Sequence, residues 1–352
     1  MKWTILFIIH GLDDGLQEQS LVLINVIRYG NWSLKYTNLL YLKSEIDFSK
    51  KGKPVNAVLN KVSSLSDKRR GKPVTTREKV FPKINIGSKA KLEKVFEYVR
   101  KEYPAEKLML LVFDHGAGFG IFEPIPTTEK RLSFSNLEDV DDVLYNSKQN
   151  QTYQRFIPKA SSGFYPGFRH KKKFKLSHGP SKGNGDRGGY LKLFRKTYAK
   201  TDMLTMEELS ESIKKGFRRK VDVVVLINCN MQMIETGYSL KDNVDYLVAS
   251  ETLFWIYGIN YREVLFRIDS HPSISPLKVA TFCVDTMPFR YERIGKIKNL
   301  NDVSFCAIEL KKMIPVYDKL DEFISLLLPD VEDHFKTIAT ARRKGVDLSQ
   351  FS

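Results

Sequence analysis

Cysteine is scarce in this 352-residue chain: there are three, Cys229, Cys283 and Cys306, and none belongs to a CxxC pair or to a metal-spaced Cys/His set. An odd, sparse count argues against a disulfide framework and against a structural zinc site. Long apolar runs are missing as well. None approaches the roughly 20 residues that carry a helix across a bilayer, so no membrane span is expected. There is no internal repeat, which removes a solenoid from consideration. Acidic residues almost vanish over one stretch: from Lys148 to Lys200 there are fourteen lysines and arginines against one acid, Asp186. Such a segment buries too little apolar surface to fold by itself and reads as a flexible insert. It also carries most of the net charge of +16, which predicts attraction to anionic partners and says nothing about fold.

What is present is an alternation of apolar runs and amphipathic stretches. The length suits one large α/β domain with additions, or two domains. Trp3 to Ile9 is apolar throughout and is followed at once by a Gly/Asp turn, with no small-residue cleavage site, so it reads as a first strand and not as a signal peptide. The chain is then cytoplasmic if it is complete and secreted if a leader has been removed. A helix follows through Leu16, Leu21, Ile24 and Ile27, then a mixed strand from Leu34 to Leu42. The lysine-rich stretch from Asp47 to Pro82 is expected as loop or insertion. Ser88 starts a helix whose apolar face is Leu92, Val95, Phe96 and Val99. An amphipathic helix is expected from Met203 to Phe217. A helix then begins at Ile234, with a short strand from Tyr246 to Ala249. Two further helices, a late strand near Val303 to Ile308 and a closing helix complete the chain.

Two runs, Leu108 to Phe113 and Val221 to Ile227, lack any polar alternation, as strands covered on both faces do. Each stops on a group with chemistry to offer. The first ends in Asp114-His115-Gly116, the second in Asn228-Cys229-Asn230. Strand-helix-strand alternation calls for parallel strands, so both ends should lie on one edge of one sheet, where ligands bind in open α/β folds. A thiol is a weak nucleophile at neutral pH until an imidazole takes its proton. His115 is the available partner, and the backbone N–H groups of Gly116 and Cys229 would suit a developing oxyanion. The same placement suits a small core cysteine, and spacing alone leaves both open. His10, in a second His-Gly pair, ends the first strand and is a candidate to line the same crevice. His178, in a third, falls in the insert and reads as a loop residue.

The combination of KWTILFII at the start, FDHGAG at 113 to 118, INCNM at 227 to 231 followed by IETGYSLKDNVDYLVASE, INYREVL at 259 to 265 and DVSFCAIELKKM at 302 to 313 resembles the clostripain-like cysteine peptidases, relatives of caspases and gingipains. The resemblance implies a caspase-like three-layer α/β sandwich with a mostly parallel central sheet, a long basic insert and a C-terminal helical extension. On it, residues 1–125 are the half that carries the histidine strand, 126–200 the insert, 201–290 the half that carries the cysteine strand, and 291–352 the extension. It implies a Cys229–His115 dyad acting on protein or peptide substrates. It also implies a zymogen processed within the insert, by itself or by an activating protease, between Gln151 and Lys200. No cofactor is required; calcium enters by resemblance alone, with Glu138, Asp139, Asp141 and Asp142 offering either an ion site or a solvated acidic face.

One departure bears on specificity. Similar peptidases carry Asp two positions before the cysteine to bind a basic P1 side chain, and here that position is Ile227, with Asn228 next. The charge would have to come from another acid such as Glu251 or Asp245, while Trp255 would wall the pocket or pack in the core. The alternative function is a non-catalytic scaffold of the same fold whose basic insert, interleaved with Phe156, Phe164, Tyr165, Phe168 and Phe174, binds an anionic partner such as nucleic acid.

Overall fold

In the computed structural model the described residues are 1–10, 14–47, 53–82, 88–116, 120–124, 201–252, 254, 258–287, 304–329, 331 and 333–344. The basic insert, His178, the acidic run at 138–142 and Trp255 lie outside them.

The two uninterrupted apolar runs become β5 (Lys107–Phe113) and β9 (Val221–Ile227), both buried on both faces. They are the centre of an eight-stranded sheet in the order β11-β10-β9-β5-β1-β2-β3-β4. Five strands run parallel: β10 (Val244–Ala249), β9, β5, β1 (Trp3–Ile9) and β2 (Thr37–Asp47). Three are antiparallel additions at the edges, namely β3 (Lys53–Val62), β4 (Thr75–Phe81) and β11 (Cys306–Glu309). The parallel strands advance in both directions from the β1–β5 pair, so the direction of winding reverses there. That reversal opens a crevice beyond the carboxyl ends of β1 and β5.

Alternate residues of β1 point to opposite sides, and each side has its own apolar layer. Leu6 and Ile8 share a layer with Leu92, Val95, Phe96 and Val99 of α3 (Lys89–Glu102), Leu209, Ile213 and Phe217 of α4 (Met206–Phe217) and Leu240 of α5 (Ile234–Leu240). Trp3, Ile5, Phe7 and Ile9 meet α1 (Asp14–Tyr29), α6 (Tyr261–Ser270) and α7 (Pro276–Asp285) through Ile24, Val264 and Val279. The result is helix on sheet on helix. A capping box starts α4, Thr205 accepting from Glu208 N–H while the Glu208 carboxylate accepts from Thr205 N–H.

The stretch expected as loop from Asp47 to Pro82 is instead largely ordered as β3, α2 (Leu65–Arg69) and β4. Its lysines hid apolar positions on both faces. Ala57 and Leu59 join one core layer and Val62 the other, while Lys61 lies over the Tyr103 ring, 5.2 Å from its centre. Residues 203–205, expected within a helix, belong instead to β8 (Thr201–Thr205), paired antiparallel with β7 (Gly120–Pro124), which pairs with the two-residue β6 (His115–Gly116). The segment after 291 contributes β11 to the main sheet before α8 (Ile314–Leu327) and a further helix, α9 (Phe335–Lys344). Among the described residues no helix is long and apolar enough to cross a membrane.

Candidate active site

Phe113 and Ile227, the last residues of β5 and β9, lie opposite one another in register. His115 and Cys229 therefore each lie two residues beyond the same level of two neighbouring parallel strands, whose backbones run about 4.8 Å apart. The side chain of Asn228 bridges the two segments: its Nδ2 donates to the carbonyl of Asp114 (2.8 Å) and to that of His115 (3.3 Å). Gly116 is pressed against the cysteine segment. A Cβ added there would stand 2.7 Å from Asn228 Cβ, 2.8 Å from the Cys229 carbonyl oxygen and 2.8 Å from Met231 Sδ. Only a residue without a side chain lets these two strand ends come so close.

Beyond Cys229 the chain turns through Asn230 in the left-handed region, φ 56°, which asparagine tolerates better than most residues. The turn is tied to the segment after β10 by two backbone bonds, Asn230 N–H to the Thr252 carbonyl and Gln232 N–H to the Ser250 carbonyl, both 2.8 Å. That segment also reaches the thiol, since Phe254 N–H points to Cys229 Sγ at 3.4 Å. It is backed in turn by residues 304 and 305, through the Ser250 hydroxyl on the Ser304 carbonyl and the Phe254 and Phe305 rings, 5.0 Å apart. Burial pushes the Cys229 thiol up to about 11, the Phe254 N–H opposing it. Cys283 is fully buried in α7 and pushed up to about 12 by burial. Cys306 reaches about 11 through burial and the neighbouring Glu251 carboxylate.

Beneath His115 lies a buried pair that joins β1 to β5. His10 Nδ1 stands 3.1 Å from Asp114 Oδ2, with both side chains withdrawn from solvent. Burial pushes the Asp114 carboxyl above the usual range, and His10 pulls it back. The other oxygen, Oδ1, accepts the backbone N–H of His115 at 2.8 Å. His10 was expected to line the crevice; it sits at the same edge but under it, 1% exposed, against Asp114. The sequence pattern gives Asp114 no role of its own inside the Asp-His-Gly motif; the signal for one is a carboxylate directly after the apolar run Leu108 to Phe113.

The expected pocket residues fall in different places. Ile227 is 3% exposed and belongs to the apolar layer that holds Phe113 and Phe254. Asn228 is 1% exposed and turned to the histidine segment. Glu251 lies exposed just past the carboxyl end of β10, accepting a bond from the Ser304 hydroxyl at 2.9 Å. Asp245 cannot join it. It stands at the start of β10, beside Lys220 at the opposite edge of the sheet (3.7 Å). Among the described residues no group of three His, Cys, Asp or Glu side chains is arranged to hold a metal ion.

Comparison with known proteins adds to this geometry. Several solved structures resemble the chain, three of them as follows. A secreted C11 cysteine protease from Bacteroides thetaiotaomicron bound to an irreversible peptide inhibitor is 17% identical, with a TM-score of 0.53 over 89% of this chain and 67% of that one. Another from the same organism, "iotapain", is 15% identical, with a TM-score of 0.46 over 75% and 56%. An inactive zymogen C11 protease from Parabacteroides distasonis is 14% identical, with a TM-score of 0.48 over 92% and 64%. The chain thus spans between 56% and 67% of the length of these relatives. The first of them shows that the fold is the caspase-like sandwich. No curated protein matches. The model of Peptidase C11, the clostripain family, matches residues 13–145 and 196–349, well over half of the sequence, and the chain belongs to that family.

Proposed function

We propose that the chain is a cysteine endopeptidase with Cys229 as nucleophile and His115 as general base. The observation that carries this reading is the register of Phe113 with Ile227, which brings the two groups to neighbouring strand ends on one side of the sheet. In the reaction, Sγ bonds to the substrate carbonyl carbon as its proton passes to the imidazole. The N–H groups of Gly116 and Cys229 donate to the oxyanion. The C–N bond breaks, the imidazole gives its proton to the leaving amine, and water then hydrolyses the thioester. Desolvation raises the Cys229 thiol above its ordinary range, so the imidazole is needed to accept the proton as the sulfur attacks.

A peptidyl acyloxymethyl ketone is expected to label Cys229 and to leave the fully buried Cys283 untouched, and His115→Ala is expected to abolish the labelling. Equal, slow modification of all three cysteines, read by peptide mapping, would sink the assignment.

For P1, Ile227 is packed in the apolar layer and offers no charge, so a basic side chain would have to be met by the exposed Glu251. Processing within 151–200 fits the way the insert is anchored. Pro124 pairs with Thr201, so the two flanks of the insert stand side by side in one ladder. Mass spectrometry of the purified protein is expected to find a cut between Gln151 and Lys200. The fragments should co-elute, because the β5–β9 and β7–β8 pairings join the two pieces. A cut that persists in Cys229→Ala assigns the step to another protease; an intact chain with full activity removes processing altogether.

A further inference from the structure

We propose that His10, Asp114 and Asn228 form a positioning device for the imidazole of His115, holding the backbone on which that side chain and the Gly116 N–H are carried. The proposal rests on the Cys229–His115 reading and goes beyond it by assigning work to three buried groups that form no bond to substrate.

Three backbone groups in succession are held by side chains. His115 N–H is accepted by Asp114 Oδ1 at 2.8 Å, while Asn228 Nδ2 donates to the Asp114 carbonyl at 2.8 Å and to the His115 carbonyl at 3.3 Å. The first two belong to a single peptide unit. A planar unit held at both its N–H and its C=O cannot rotate, so the Cα of His115 has a fixed place and direction. The third holds the next unit, the one that carries the Gly116 N–H, from the carbonyl side.

Asp114 is itself anchored. Its second oxygen meets His10 Nδ1 at 3.1 Å, and the His10 backbone N–H donates to the Phe113 carbonyl at 3.1 Å, so the neighbouring strand β1 supports the carboxylate from the side away from β9. Asn228 precedes Cys229 directly, and the same side chain therefore sets the distance between the thiol segment and the histidine segment.

Stability alone does not account for the pair. A buried histidine–carboxylate contact is expensive to desolvate, and apolar residues of similar volume commonly serve a core as well or better. Every neighbouring position on β1 and β5 is apolar, from Trp3 to Ile9 apart from Thr4, and from Leu108 to Phe113. The polar pair begins where the strands end and the proposed chemistry begins.

The test uses the full chain and kinetics on a cleaved peptide, normalised to the concentration of folded protein. Asp114→Ala is expected to lower kcat by about tenfold or more with KM within about twofold, since displacing a base by a fraction of an ångström costs rate before it costs binding. Asp114→Asn keeps an oxygen for the His115 N–H and is expected to restore most of kcat. His10→Phe keeps the volume and removes the support, and it should reproduce the loss in kcat. The His10→Phe, Asp114→Ala pair should fall by less than the product of the singles.

Wild-type kcat in His10→Phe, or a change in KM with kcat intact, overturns the proposal even if Asp114→Ala does not fold. Cys229→Ala and His115→Ala, run alongside, separate the two ideas. Activity surviving in those variants removes the dyad. Their inactivity, together with full kcat in the His10 and Asp114 variants, removes the positioning role alone.

Discussion

Cys229→Ala is expected to lower kcat/KM for peptide hydrolysis by at least ~10⁴-fold, His115→Ala by a similar factor, and the double variant by no more than the worse single. Sγ forms the bond that defines the intermediate, so without it the acyl-enzyme cannot exist. The loss of His115 is nearly as severe because of where the thiol sits: burial holds it near 11, and the Phe254 N–H at 3.4 Å is too weak a donor to bring it to neutrality. A thiol raised in this way reacts at pH 7 through a base that takes its proton. The two residues act in one step, which is why their losses should not multiply.

Neither substitution should disturb the main sheet, since both residues lie beyond the last pair of β5 with β9, Phe113 and Ile227, and the pairing of His115 with Phe122 of β7 is made by the backbone. The check is a fluorogenic peptide, chosen from a library so that P1 preference is read at the same time, with thermal unfolding of each variant as control. A double variant whose loss equals the product of the singles, or a single loss below about tenfold, would contradict the dyad.

The parts of this site that were legible in the sequence are those written in strand patterns. Val221 to Ile227 and Leu108 to Phe113 are apolar without alternation, which announces central parallel strands. The residues that follow them must then lie at one edge. That both ends lie at one edge is an expectation of topology; that the two strands are neighbours is not written along either of them, and comes from the register of Phe113 with Ile227. The hairpin of β3 and β4 was not legible, because a few buried residues such as Ala57, Leu59 and Val62 scattered among lysines imitate a loop. The bonds that give the site its rigidity were not legible either. His10 to Asp114 spans 104 positions and Asn228 to Asp114 spans 114. A pattern along one strand reports which face is buried and where the strand stops. It does not report which side chain of a third strand lies under that stop.

Gly116→Ala is expected to cost about 1–3 kcal/mol in stability by overpacking and about 100-fold in kcat by misplacement. Conformation does not cause this. The φ of Gly116 is outside the left-handed region, so alanine is allowed there and even gains about 0.4–1 kcal/mol by restricting the unfolded chain. Sterics decide the sign. The new Cβ would meet Asn228 Cβ at 2.7 Å and the Cys229 carbonyl and Met231 Sδ at 2.8 Å each, against about 3.5 Å for comfortable carbon contact.

None of the three can yield alone. Asn228 is held by its bonds to the Asp114 and His115 carbonyls, Met231 is fully buried, and the Cys229 oxygen is backbone. The histidine and cysteine segments must therefore separate by about 0.7 Å, which is the scale on which an oriented proton transfer loses about two orders of magnitude. Gly71→Ala supplies the contrast: φ there is +78°, nothing lies within 4 Å of the added Cβ, and the turn follows α2 far from the strand ends. That variant should lose about 1 kcal/mol by strain alone and keep wild-type kcat. Urea unfolding read beside steady-state kinetics distinguishes the two, and a Gly116→Ala enzyme with undiminished kcat would mean that the close approach of the two strand ends has no part in the chemistry.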